Sequence, residues 1–474
     1  LASPARRPAS SRSPSRPERE ALPPAFVGSI VNQTRAFRFP AVFISTPPAP
    51  SVSFAPEPQE FRSPNRAVPR NHRRLVPVKL PLLTLLILAT SPLLLPVHAQ
   101  TNPAATSPAA APARKARPQL TAEEYQKFAA ELRVLYARPA ADWPKPHVDP
   151  GVAFVELGPL GPTPSPADNP TTPAKVALGK TLFFDPRISG SGQIACASCH
   201  DPDLAWGDGR TVSFGHSRTE LKRNAPTLTN VGHQTSYFWD GRADSLEAQV
   251  EAVLLNVDEM RSEPAVIIAR LAAIPGYREP FRAAFGDEAI TFARLAQAIA
   301  AFERSIVTRA NKFDGFAKGG SKALSDSALR GLHLFRTEGR CVNCHLGPNF
   351  TDNRFHNLGL SRYGRSDSDL GRYLVTNKPE DVGAFKTPTL RNVLRSAPYM
   401  HNGAFDLDET LRLYNAGMIT LRPRASEKDD PLFPKKSPLL KPLGLNAHDL
   451  ADLREFLESL TESNARVRVP ALPQ

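Results

Sequence analysis

The sequence predicts a mainly α-helical fold of two tandem units with long irregular loops, on three observations. A pentapeptide with two cysteines and a histidine occurs twice, as Cys196-Ala197-Ser198-Cys199-His200 and Cys341-Val342-Asn343-Cys344-His345, and uses all 4 cysteines of the 474 residues. A short apolar segment precedes each copy: Gly179-Lys180-Thr181-Leu182-Phe183 before the first and Gly331-Leu332-His333-Leu334-Phe335 before the second. Between the copies, Leu295, Ile299, Phe302 and Ile306 recur at the spacing of a helix face that packs into a core, and no run of alternating residues points to a sheet.

The elements follow in chain order. A basic stretch (Arg70, Arg73, Arg74, Lys79), an apolar run from Leu80 to Leu95 broken by Pro81 and Pro92, and Val97-His98-Ala99 have the form of a secretory signal cleaved after Ala99. The run is shorter than the ~20 apolar residues of a spanning helix. Residues 70–99 are therefore expected to direct export to a bacterial periplasm. Residues 1–69, rich in Pro, Ser and Arg, are expected to be disordered and not native, with the true start near Val68 to Val78.

Residues 100–120 read as an Ala/Pro/Thr linker. Thr121-Ala122-Glu123-Glu124 has the form of a capping box, so a helix is expected from Thr121, with Phe128, Leu132 and Leu135 on one face and an end by Pro139. A strap dense in Pro and Gly, expected to run over the surface, completes the segment 121–173. Charge is concentrated upstream. Residues 1–99 hold 13 of the 59 basic side chains and 4 of the 46 acidic ones, which leaves the other 375 residues at +4 out of a total of +13. That balance excludes a nucleic-acid-binding face.

The pentapeptide has a chemical reason. Two thiols three positions apart can form thioethers to both vinyl groups of one porphyrin, and the adjacent histidine then meets the iron. Zinc knuckles and thioredoxin-like pairs also use Cys-x-x-Cys, but neither requires a histidine directly after the second cysteine, twice. Two covalently bound haem c groups follow, one held by Cys196, Cys199 and His200, the other by Cys341, Cys344 and His345. With the repeated apolar segments, they predict two tandem cytochrome-c-like haem domains, residues 174–310 and 311–465. Whether such a chain carries electrons or performs chemistry depends on the other face of each iron.

The segments around the motifs supply that information. Leu178-Gly179-Lys180, Leu182-Phe183-Phe184-Asp185-Pro186-Arg187, Arg223-Asn224-Ala225-Pro226-Thr227-Leu228, Phe238-Trp239-Asp240-Gly241-Arg242, Phe385-Lys386-Thr387-Pro388-Thr389-Leu390-Arg391-Asn392 and Ala397-Pro398-Tyr399-Met400-His401-Asn402-Gly403 occur in this order. From about Ala174 to Leu460 the chain resembles the bacterial dihaem cytochrome c peroxidase and MauG family.

The resemblance implies a peroxide-reacting first haem with His216 as a displaceable distal ligand, and Gln249 and Glu259 as the distal amide and carboxylate. A glutamate there would move a proton between the two peroxide oxygens. It also implies Trp239 as the conduit between the haems, and one calcium held by Asn224 and the carbonyls of Ser396 and Pro398. The second haem's sixth ligand falls on Tyr414, as in MauG, with Met418 as the alternative that would match the usual methionine. Val253 and Val257 stand where the family has prolines.

The expected activity is reduction of hydrogen peroxide with electrons from a small donor protein, a cytochrome c or a cupredoxin. Oxidation of residues on a protein substrate, as by MauG, and non-catalytic electron transfer are the alternatives. A homodimer is compatible with the sequence.

Overall fold

The computed structural model describes residues 117–462 and 466–474, all inside the compact unit Asn102–Gln474. The readings for 1–69, for the signal at 70–99 and for linker residues 100–116 lie outside the described residues. The described part is mainly helical. Its helices are α1 (Ala122–Tyr136), α2 (Pro173–Phe183), α3 (Leu246–Leu255), α4 (Pro264–Ala272), α5 (Arg278–Phe285), α6 (Phe292–Arg304), α7 (Lys312–Ala317), α8 (Asp326–Arg336), α9 (Tyr373–Thr376), α10 (Leu407–Asn415) and α11 (Ala447–Ser459).

Helix α1 begins as its sequence dictates. The Thr121 hydroxyl accepts from the Glu124 amide, and the Glu124 carboxylate accepts from the Thr121 amide at 2.8 Å. This capping box satisfies two otherwise unpaired donors. Sequence pattern did not reveal a small antiparallel ribbon, β1 (Phe355–Asn357) against β2 (Ala384–Lys386), with His356 opposite Phe385. Strands of three residues are too short to show alternation.

Apolar side chains gather in two cores. Leu178, Leu182, Phe183, Leu246, Leu295, Ile299 and Phe302 belong to one, together with Trp206 and Tyr277. Leu132, Phe313, Leu332, Phe335, Phe350, Phe456 and Leu457 belong to the other. The strap is more than a surface cover, because Trp143 and Leu157 are buried in the second core and the Gly158 carbonyl accepts from Arg391 at 2.9 Å. The chain's last residues return to the first core: the Arg187 guanidinium donates to the Pro473 carbonyl and the Gly276 amide to that of Gln474, each at 3.0 Å.

Each core is organised by a close helix crossing at a glycine. A Cβ on Gly179 of α2 would lie 1.8 Å from the Ala298 carbonyl oxygen of α6, and one on Gly331 of α8 would lie 1.9 Å from that of Asp452 in α11. Only glycine lets the backbones approach so closely. Phe183 meets Phe302 at the first crossing and Phe335 meets Phe456 at the second, each pair 5.2 Å apart. The apolar segments that echo one another before the two motifs are these crossings.

Candidate functional site

Each crossing leads into a short 3₁₀ turn that carries the cysteines, Cys196–Ser198 or Cys341–Asn343. The His200 amide donates to the Cys196 carbonyl at 3.0 Å and the His345 amide to that of Cys341 at 2.8 Å, so each turn fixes where its histidine starts. His200 Nδ1 lies 2.8 Å from the Trp206 carbonyl and His345 Nδ1 lies 3.0 Å from that of Phe350. A carbonyl only accepts, so both Nδ1 atoms carry the proton and both Nε2 lone pairs are left for a metal. Burial lowers the pKa of both imidazoles, favouring the neutral form that a ligand needs.

Cys196, Cys199, His200, Cys341, Cys344 and His345 all line one continuous cavity of about 1400 Å³. That exceeds the roughly 300–1,000 Å³ of a single small-molecule site. All four thiols are free of disulfides. Gln249 Oε1 on the wall is buried without a hydrogen-bond partner, as a group awaiting a ligand would be. Volume, thiols, free imidazole nitrogens and this orphan oxygen fit two porphyrins.

Gln249, from α3, and Glu259, from the loop after it, reach the wall together. Asn256 Nδ2 donates to Glu259 Oε1 at 3.0 Å, and burial pushes this carboxyl up to about 7. The loop is held from two sides: Gly190 donates to the Met260 carbonyl and His216 to that of Asp258, each at 2.8 Å. Helix α3 runs unbroken through Val253, where a proline would have removed a helical hydrogen bond, and Val257 is exposed.

His216 lies at the edge of this wall, between the lining residues Gly215 and Thr219. It sits in the turn His216–Arg218 and is not among the residues lining the cavity, and its buried Nδ1 has no partner.

Trp239 lies on the wall and donates from Nε1 to the Asn224 carbonyl at 2.9 Å. It meets His401 edge-on at 6.5 Å, and His401 stacks flat on Phe385 at 3.5 Å. Asn224, Ser396 and Pro398 share the same wall. Asn224 Nδ2 donates to the Arg210 carbonyl at 2.7 Å, which leaves Oδ1 as its atom for a cation.

Tyr414, on α10, lines the cavity beside the second motif, and burial raises its phenol well above the usual range, with the Cys344 and Cys341 sulfurs adding to the effect. Met418 is buried and is not among the lining residues. Helix α10 stops at Asn415 and Met418 has φ 60°, so it does not continue the face that carries Tyr414.

Sequence reasoning missed the tie made by Arg223, which binds Asp240 at 2.6 Å and Asp369 at 2.7 Å and so fastens the tryptophan loop to a distant segment. No sequence signal marks such a long-range pair. His401 was legible only as part of its Pro-Tyr-Met-His-Asn-Gly string.

This architecture is that of a known class. The model of the di-haem cytochrome c peroxidase family matches residues 173–322, and the chain belongs to that family. It is a peroxidase-type oxidoreductase with two haems. It is similar to cytochrome-c peroxidase IdrP1 of Denitromonas iodatirespirans, at 38% identity over 351 residues that cover 68% of this chain and 90% of that protein. Methylamine utilization protein MauG of Methylorubrum extorquens is 40% identical over 316 residues, 65% of this chain and 84% of that one. Among solved structures, a MauG-like protein associated with microbial copper homeostasis superposes with a TM-score of 0.58 at 34% identity, covering 64% of this chain and 93% of its own.

Proposed function

We propose that the chain is a periplasmic enzyme that reduces hydrogen peroxide to water with electrons from a small redox protein. Residues 174–310 form the peroxidatic haem c domain and residues 311–465 the electron-transfer haem c domain. The observation that carries this reading is the single cavity that joins both Cys-x-x-Cys-His turns and has Gln249 and Glu259 on its wall beside the first. Cys196, Cys199 and His200 would hold one haem c, and Cys341, Cys344, His345 and Tyr414 the other. Bound haem supplies the iron that takes peroxide and the redox equivalents that reduce it.

The protein's own groups do the rest. Gln249 orients the peroxide through its free amide oxygen. Glu259 would move a proton from one peroxide oxygen to the other, so that water can leave. Trp239 carries electrons between the two sites, from a cytochrome c or cupredoxin docked near the second. His216, in a turn flanked by the wall residues Gly215 and Thr219, would be the displaceable distal ligand of the first haem. Asn224, Ser396 and Pro398 would hold one calcium, an oxygen-only set suited to that ion.

Tyr414 on the wall, with Met418 off it, favours a second reading. A phenolate stabilises ferric iron, and such a site would suit oxidation of a tyrosine or tryptophan on a partner protein, as in MauG-like enzymes. A steady-state assay of the purified holoprotein separates the first reading from non-catalytic electron transfer. Peroxide-dependent oxidation of reduced cytochrome c is expected. No turnover, with both irons six-coordinate by absorption and EPR spectroscopy across the redox states, would leave an electron-transfer cytochrome.

A further inference from the structure

The cavity wall has a buried cation without an acid beside it. Lys386 ends strand β2 at 8% exposure, and its side chain lines the cavity. Its ammonium donates to the Ser236 carbonyl at 2.8 Å and to the amide oxygen of Gln234, both neutral acceptors. The arginines on the same wall are balanced: Arg223 by Asp240 and Asp369, Arg242 by Asp240, and Arg340 by Asp149. Among the described residues no carboxylate forms an ion pair with Lys386. A buried ammonium with only dipoles around it is costly, and burial pushes this one down to about 7.

A porphyrin brings two carboxylates into this space. We propose that Lys386 is the counter-ion for a carboxylate of the haem bound at Cys196, Cys199 and His200. The choice of haem follows from its neighbours. Gln234 and Ser236 lead directly into Tyr237, which is packed in the first core. The Lys386 backbone amide also donates to the Trp239 carbonyl at 2.8 Å. One residue thus links the porphyrin edge to the tryptophan loop, so seating the haem sets the position of Trp239.

The inference rests on the haem c reading, and the test separates the two. Holoproteins carrying Lys386→Met, Lys386→Gln and Lys386→Arg are counted for haem by pyridine haemochrome. Both haems are then titrated spectroelectrochemically, and the propionate-bending bands are recorded by resonance Raman. Loss of a nearby positive charge disfavours the added electron, so Met and Gln should move the first haem to a more negative potential and shift its propionate band, with Arg restoring both. Two retained haems with potentials and bands unchanged, or changes confined to the second haem, would overturn the proposal. A mere clamp on the Trp239 loop would alter transfer between the haems and leave the bands in place, which also overturns it. Wild-type protein without haem would instead remove the reading beneath it.

Discussion

At the first crossing Gly179 lies against a run of buried alanines on α6, whereas at the second Gly331 lies beside a buried ionic cluster in which Arg330 binds Asp452 at 2.8 Å and Asp449 at 3.3 Å. The crossing glycine, the aromatic pair and the Nδ1-anchored histidine are otherwise repeated. The two regions part company on the cavity side. Near the first motif the wall carries Gln249, a hydrogen-bonding amide, and Glu259, a carboxyl able to move protons. Near the second it carries a phenol from α10. The scaffold that positions each motif histidine is thus shared, and the difference between the two sites lies in the segments laid over it.

The change expected to alter that difference most is Glu259→Gln. Losing general acid–base help costs about 10²–10⁴-fold. Peroxide turnover should fall by that factor while the spectrum of the second haem stays as it was. In the parent enzyme kcat/KM should rise with pH through about 7, as the buried carboxyl loses its proton and becomes a base, and the variant should lack this limb. A normal rate in Glu259→Gln would refute the assignment.

The shared part is tested next. Alanine at Gly179 or Gly331 places a Cβ against backbone that cannot swing aside. Each should cost about 1–3 kcal/mol as overpacking, a drop in Tm of roughly 2–4 °C per kcal/mol. Equal losses from the two would support equivalent roles. A neutral result at one site would show that its crossing can relax.

How far these features could be read from sequence depends on how local they are. The α1 capping box and the α6 stripe are each encoded within a few turns of chain and form as expected, and the two Cys-x-x-Cys-His pentapeptides, equally local, reach one cavity wall. Why the two apolar segments begin with glycine was not legible, because their contacts, Ala298 and Asp452, lie far along the sequence. Trp143 and Leu157 looked like parts of a proline-rich cover because nothing nearby shows which core receives them. His216 had the right spacing, but the clasp of its backbone on Asp258, which sets where its loop meets the wall, is a long-range contact that spacing cannot supply.

Tyr414→Met sharpens the contrast at the second site. A thioether favours ferrous iron, so the variant's second haem should titrate at a higher potential, with the first little changed. Under the MauG-like reading, protein oxidation should fall while cytochrome c peroxidation rises. An unchanged potential would remove Tyr414 from the ligand set.

The smallest effects come from the matched caps of the two crossing helices. The Thr172 hydroxyl accepts from the Lys175 amide at 3.3 Å to start α2, and the Ser325 hydroxyl accepts from that of Ala328 at 3.1 Å to start α8. Replacing either by Ala leaves one helix-end donor unpaired, at about 1 kcal/mol. Helix α2 packs on α6 and α8 on α11, so each loss should register as faster hydrogen exchange in its own pair. Thr172→Ala should deprotect α6 and spare α11, and Ser325→Ala the reverse. Each crossing helix has a further neighbour, α1 for α8 and α5 for α2. The two effects on exchange are therefore expected to be of similar size. Loss of protection in both pairs from either substitution would mean that the cores open as one cooperative unit.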